Sequence, residues 1–203
     1  TEEAAKVFKE LFEKEISQYA GSKYAIAIDC CTNGLFLCLK YVRREGNVIS
    51  IPKHTYISVP KQIINAGYKV FFEDREWKGI YRLEPFNVWD SAGRFTKNMY
   101  IGNNSLQVLS FQIKKRLPIG RGGVILTDDK KAYEYLTKIR YDGRDLDVPQ
   151  MEDDIETFGY HMYMTPEDAA RGLILFNQLN VEHEDTHSSE SYKDITKNSI
   201  FSK

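Results

Sequence analysis

No apolar run in these 203 residues approaches the roughly 20 needed to cross a bilayer. Excess charge is missing too: 28 Lys and Arg stand against 29 Asp and Glu, a net charge of −1. That balance gives no electrostatic reason to expect a nucleic-acid or membrane partner. Cysteine is scarce, and Cys30, Cys31 and Cys38 sit together in one apolar stretch. A disulfide framework would spread an even set through a short secreted chain, so reduced thiols are expected. The amino-terminal segment is too acidic and amphipathic for a signal peptide. A soluble, cytoplasmic protein is the expectation. There is no internal repeat and no low-complexity tract, and the length suits one domain better than two.

What is present alternates. Ala4, Val7, Phe8, Leu11, Phe12 and Ile16 recur at three- and four-residue spacings with charges between them, which predicts an amphipathic helix. Short apolar runs bounded by turn formers follow as strand candidates: Tyr24 to Ile28, Val48 to Ile51, Val70 to Phe72, Val88 to Trp89, Val108 to Phe111 and Val124 to Leu126. Helix-like stretches lie between several of them, at Asn33 to Tyr41, Ser58 to Ala66 and Lys130 to Arg140. A last helix has Thr165 to cap it, Pro166 in its first turn, and Ala169, Leu173, Phe176 and Leu179 as its apolar face. Such alternation predicts an α/β fold of three layers, α/β/α, around a mostly parallel sheet. It would span residues 1–180, with the polar residues 181–203 as a tail or partly docked extension.

Open α/β sheets bind ligands at the carboxyl ends of their strands, so residues just after each apolar run are the informative ones. Asp29-Cys30-Cys31-Thr32-Asn33-Gly34 leads directly into a helix, where amide donors and the helix dipole favour an anion. Thr32 as an ordinary N-cap is the plain alternative. Pro52-Lys53-His54-Thr55-Tyr56 puts an aromatic ring near the same edge, either to stack on a planar ligand or to pack in the core. Asp90 follows Val88-Trp89 and would either pair with a ring nitrogen of a buried heterocycle or cap a turn. Ser110-Phe111-Gln112-Ile113-Lys114-Lys115 precedes Gly120-Arg121-Gly122-Gly123. A lysine partly desolvated there would have the lowered pKa that Schiff-base formation requires, while paired lysines on a solvated loop are the alternative.

The order and spacing of these places resemble one family, the sugar aminotransferases of the DegT/DnrJ/EryC1/StrS type, which are pyridoxal-phosphate enzymes of fold type I. The resemblance runs over roughly residues 8–180 and adds Gly159-Tyr160-His161-Met162-Tyr163-Met164, similar to the family's G-Y-N-x-R-M segment. It implies pyridoxal 5'-phosphate as cofactor, bound by Cys31, Thr32, Asn33, Ser110 and His161, with Tyr56 over the ring and Asp90 as partner of the ring nitrogen. Counting from Ser110 and back from Gly122 selects Lys115 over Lys114 as the Schiff-base lysine. The implied reaction moves an amino group from an amino acid such as glutamate to a nucleotide-linked keto sugar, in a homodimer.

The chain departs from the family pattern in stated ways. His161 replaces an asparagine that reaches a neighbouring subunit's phosphate, Gln112 replaces a histidine, and Gly93 replaces a Gln or His that contacts the cofactor's phenolic oxygen. About 17 residues separate Glu73 from Asp90, where the family inserts another strand and a crossover helix. The family's carboxy-terminal small domain has no counterpart in the residues given. These departures motivate a rival expectation, a family member that folds and dimerises without turnover and serves as a binding or accessory subunit. His183-Glu184-Asp185-Thr186-His187 satisfies the H-E-x-x-H zinc pattern, but Ser188-Ser189 stand where an apolar helix should continue and no third ligand follows, so no metal is expected.

Overall fold

Near-continuous apolar strands are what a sheet covered on both faces requires, and the chain builds one. A computed structural model describes residues 2–43, 47–179 and 184–201. The strands are β1 (Tyr24–Ile28), β2 (Val48–Pro52), β3 (Lys69–Glu73), β4 (Tyr81–Arg82), β5 (Val88–Asp90), β6 (Leu106–Ser110) and β7 (Gly123–Thr127). The helices are α1 (Glu2–Ala20), α2 (Cys31–Tyr41), α3 (Ser58–Asn65), α4 (Lys130–Ile139) and α5 (Pro166–Phe176). Five strands form one sheet in the order β1-β7-β6-β5-β4, and β2 and β3 form a parallel pair. A bridge between Ser50 of β2 and Glu84, with both backbone bonds made at 2.8 and 3.1 Å, joins the pair to the β4 edge.

Side-chain alternation divides the core into two layers. On β1, Ile26 and Ile28 face a cluster with Leu35, Leu37 and Leu39 of α2, Val59 and Ile63 of α3, and Leu136 and Ile139 of α4. The intervening Ala25 and Ala27 face Phe12, Ile16 and Ala20 of α1 and Ala169 of α5. Small residues on that side let α1 lie close against β1. The result is the α/β/α sandwich that the alternation predicts.

Strand direction is more mixed than the alternation implies. Within the five-stranded sheet β5 and β6 run parallel, while β4–β5, β6–β7 and β1–β7 are antiparallel. The connections explain it: β4 and β5 are joined by residues 83–87 and β6 and β7 by residues 111–122, with no helix in either. A connection without a crossover element turns the chain back on itself. The strands β1, β5 and β6 still share one direction, so Ile28, Asp90 and Ser110 end at a common edge.

Two helices are set by the caps their sequences supply. Thr165 accepts from the Asp168 amide, with Pro166 opening α5, and Asp129 accepts from the amides of Lys131 and Ala132 at the start of α4. On α1 the buried stripe is Phe12, Ile16 and Ala20 with Glu13 and Ser17, whereas Val7, Phe8 and Leu11 of the expected apolar face remain 45%, 43% and 44% exposed.

Buried Arg140 at the end of α4 pairs with buried Glu13 of α1. The guanidinium also donates to the Ala27 carbonyl at 2.7 Å, and the Ala27 amide donates to Glu13 Oε1 at 2.8 Å. One charge pair therefore ties α1, β1 and α4 together through the interior.

Candidate active site

The α2 amino terminus is held against the sheet by Gly123. A Cβ there would fall 2.6 Å from the Leu109 carbonyl and 2.8 Å from the Cys31 amide nitrogen, so any side chain would drive α2 outward. Cys30 is the N-cap and its side chain makes no cap hydrogen bond; the first turn carries no acidic residue. Those amide donors and the helix dipole favour an anion. Thr32 lies inside the helix and is not its cap. Its hydroxyl is hydrogen-bonded to that of Ser58 at 2.9 Å. Asn33 donates to both oxygens of Asp29 at 3.0 and 2.9 Å and accepts from Gln62 at 3.1 Å, so its side chain links the end of β1 to α3.

Asp90 ends β5 and is buried. Its Oδ1 accepts from the Ala92 amide at 2.9 Å and its Oδ2 from the Tyr81 hydroxyl at 2.8 Å, while Tyr81 is also bonded to Thr55 Oγ1. Burial raises the Asp90 carboxyl above its ordinary value; the Ala92 amide, the Tyr81 hydroxyl and the charge of Lys115 work in the opposite direction. Burial, and then the Asp90 charge, likewise push the Tyr81 hydroxyl well up.

The loop after β6 separates the two lysines. Lys114 is exposed; Lys115 is half-buried, its amide bonded to the Gln112 carbonyl at 2.7 Å. Burial lowers the Lys115 pKa, opposed by the charges of Asp90 and Cys31. Cys31 is buried with its Sγ 3.9 Å from the Val108 carbonyl, and burial keeps its thiol protonated. Lys115, Asp90 and Cys31 thus meet electrostatically at the edge where β1, β5 and β6 end. Ser110 is at that edge as the last residue of β6. A cavity of about 510 Å³ is lined by Lys114, Lys115, Arg116, Glu184 and Thr186.

Two expected residues are exposed. Tyr56 is 56% exposed and meets Tyr192 edge-on at 6.4 Å. His161 is on an outer surface, hydrogen-bonded through Nδ1 to Asp142 at 2.9 Å and packed against Tyr163. His183 of the H-E-x-x-H pattern is outside the described residues, while His187 is stacked with Tyr192 at 6.1 Å. Among the described residues no group of three or more His, Cys, Asp and Glu is placed to hold a metal ion.

Sequence reasoning missed the contribution of residues 184–192. The Tyr192 hydroxyl is pushed up to about 12 by burial and then by the Asp90 charge, and it also senses Tyr56 and Cys31. Burial and then the Lys115 charge push the His187 imidazole down. The aromatic Tyr192 within a polar stretch was the one visible indication.

Solved structures share this fold. The sugar aminotransferase CalS13 from Micromonospora echinospora superposes with a TM-score of 0.70 at 16% identity, over 84% of this chain and 60% of that one. PseC from Helicobacter pylori, an aminotransferase involved in the biosynthesis of pseudoaminic acid, gives 0.69 at 16% identity, over 84% of this chain and 58% of its own. In sequence, the spore coat polysaccharide biosynthesis protein SpsC of Bacillus subtilis (strain 168) is 25% identical over 83% of this chain and 56% of its own length. The profile of the DegT/DnrJ/EryC1/StrS aminotransferase family matches residues 7–83 and 90–193, and the chain belongs to that family. It spans a little over half the length of these relatives.

Proposed function

We propose that the protein is a pyridoxal-phosphate-dependent aminotransferase acting on nucleotide-linked keto sugars, with an amino acid such as glutamate as donor. The observation that carries this reading is the half-buried Lys115 amine within electrostatic reach of the buried Asp90 carboxylate at the sheet edge. The α2 amino terminus, with no side-chain cap and no acid in its first turn, suits the cofactor's phosphate. Both features fit the cofactor, which when bound supplies an electron sink.

In this reading the Lys115 amine is the nucleophile and, once released, moves a proton at the reacting carbon. Its lowered pKa increases the uncharged fraction at neutral pH. Asp90 holds the ring nitrogen protonated. Cys31, Thr32 and Asn33 contribute the amides of the first turn of α2 to the phosphate, Ser110 contributes its hydroxyl, and Tyr56 stacks on the ring. His161 would contact the phosphate bound by a second copy in a homodimer, the role that the family resemblance gives its position. Met151 and Phe158, 97% and 95% exposed in the loop leading to His161, give that copy an apolar surface to cover.

One observation favours the second reading, an accessory subunit without turnover: both Asp90 oxygens already accept hydrogen bonds, one of them from Tyr81. Borohydride reduction in the presence of pyridoxal phosphate, followed by peptide mass mapping, separates the two. The expected result is an adduct on Lys115 in the wild type and in Lys114→Ala, and none at this position in Lys115→Ala. Turnover in Lys115→Ala should fall by at least about 10²–10⁴, the range for a positioned acid–base group. An unlabelled wild type would favour the accessory reading.

A further inference from the structure

Three consecutive cations line one cavity. In an extended chain neighbouring side chains point to opposite sides, but the loop after β6 turns at Gln112. Its side-chain Oε1 accepts from the Lys114 amide at 2.8 Å, and its carbonyl from the Lys115 amide at 2.7 Å. Lys114, Lys115 and Arg116 thereby share a cavity of about 510 Å³, within the range of small-molecule sites. Arg116 is half-buried, and its Nη1 donates to the Phe95 carbonyl at 3.0 Å, which fixes the guanidinium in the wall.

Glu184 and Thr186 complete the lining. Their segment is fastened in place: Asp185 takes a two-pronged ion pair from Arg94, at 2.9 and 2.8 Å, and the Thr186 amide and hydroxyl donate to the Gly93 carbonyl at 2.8 and 3.2 Å. Gly79 makes room for this, since a Cβ there would fall 2.2 to 2.5 Å from the Asp185 carboxylate. Asp185 is thus neutralised by Arg94 and not by the cavity. The Glu184 side chain is 93% exposed, with its carboxylate 3.9 Å from Lys78. Three cationic side chains therefore face a single solvated carboxylate. Burial lowers the pKa of both Lys115 and Arg116, so their charged forms are disfavoured until an anion joins them.

We propose that this cavity is the subsite for the diphosphate of the nucleotide-linked acceptor, contacted by Arg116 and Lys114. The inference rests on the reading in which Lys115 carries the reaction with such an acceptor. A guanidinium fork matches phosphate oxygens in pairs, and Lys114 adds a point charge. The diphosphate of a nucleotide-linked sugar is separated from the reacting ring carbon by no more than the sugar itself, so cations adjacent to the reacting lysine suit it. A doubly negative group also matches the charge of the wall better than the single carboxylate of an amino donor. Such a subsite anchors the acceptor through a part that does not react.

Inorganic pyrophosphate, titrated calorimetrically into cofactor-free protein, is the probe. Saturable binding is expected in the wild type. Arg116→Gln should weaken it about tenfold or more, the effect of a charge-assisted hydrogen bond in a half-buried wall. Lys114→Ala should weaken it only about two- to fivefold, since that cation is exposed, and Arg116→Lys should fall between wild type and Arg116→Gln. In the wild type, pyrophosphate should also slow acylation of Lys114, read by peptide mass mapping, without protecting exposed Lys131. Protein reduced by borohydride onto pyridoxal phosphate should still bind pyrophosphate. Equal binding by wild type and Arg116→Gln, or an unprotected Lys114, overturns the proposal. Loss of binding in the reduced protein overturns it in favour of the cofactor's own phosphate. Succinate bound as tightly as pyrophosphate, with the same response to the variants, overturns it in favour of the donor's carboxylate. The expected variant pattern in a protein that pyridoxal phosphate does not label would support the anion subsite and count against the cofactor reading.

Discussion

Arg140→Ala should cost the fold about 3–5 kcal/mol, because it leaves the Glu13 carboxylate charged and buried with no cation beside it. Total stabilities of roughly 5–15 kcal/mol make that a large share, enough to leave much of the chain unfolded at physiological temperature. The guanidinium contributes through both its charge and its bond to the Ala27 carbonyl, so Arg140→Lys, a single ammonium without the planar fork, should recover only part of the loss. Glu13→Ala should destabilise to a similar degree by orphaning Arg140. The double variant should lose less than the sum of the two single losses, since each removes the same interaction. Urea denaturation of the four variants is the measurement. A single-variant loss under about 1 kcal/mol would mean that the pair behaves like a solvated surface bridge.

Asp90→Asn should separate stability from activity. Burial raises the Asp90 carboxyl above its ordinary 3.8, so the native state holds this proton more tightly than the unfolded chain does. Its stabilising contribution is therefore complete below that ordinary value and is lost as pH rises through the elevated folded value. A neutral amide of the same shape accepts from the Ala92 amide through its one oxygen and donates its NH2 to the Tyr81 oxygen, whose hydrogen then goes to Thr55, without the buried charge. The variant should match wild type near pH 4 and exceed it increasingly toward neutral pH, by roughly 2–4 °C in midpoint for each kcal/mol gained. Turnover should fall by about 10²–10³, the usual cost of removing one preorganised electrostatic contact. Thermal melts from pH 4 to 8 beside steady-state rates measure both. A variant less stable than wild type at neutral pH would contradict the burial argument.

The fold was legible where hydrophobic periodicity carries the information. The strand candidates from Tyr24 to Leu126 all became strands because their apolar runs are short and bounded by turn formers, and Thr165-Pro166 announced α5 through its cap. Direction was less legible, because an apolar run reads the same whichever way it enters the sheet. It is the helix-free lengths of the 83–87 and 111–122 connections that turn β5 and β7 against their predecessors. The pair of Glu13 and Arg140 was invisible for another reason. Periodicity assigns charged residues to solvent, and these partners lie 127 positions apart in the chain.

The candidate site divides in the same way. Asp90, Ser110 and Lys115 were readable from strand ends and spacing, and burial distinguishes Lys115 from Lys114. Residues 184–192 were not, because their docking depends on backbone bonds to Trp77, Gly79 and Gly93 and on the ion pair between Asp185 and Arg94, none of which leaves a periodic pattern. A polar composition signals the absence of an apolar face; it does not signal the absence of a binding edge.

The central claim is that Lys115 holds pyridoxal phosphate and exchanges it with an amino donor. Its most direct test is the visible absorbance spectrum of the purified protein with pyridoxal phosphate, recorded before and after adding glutamate. The account predicts a lysine-bound cofactor band in the wild type that glutamate discharges, and no such band in Lys115→Ala. A wild-type spectrum identical to that of free pyridoxal phosphate, unchanged by glutamate, would contradict it.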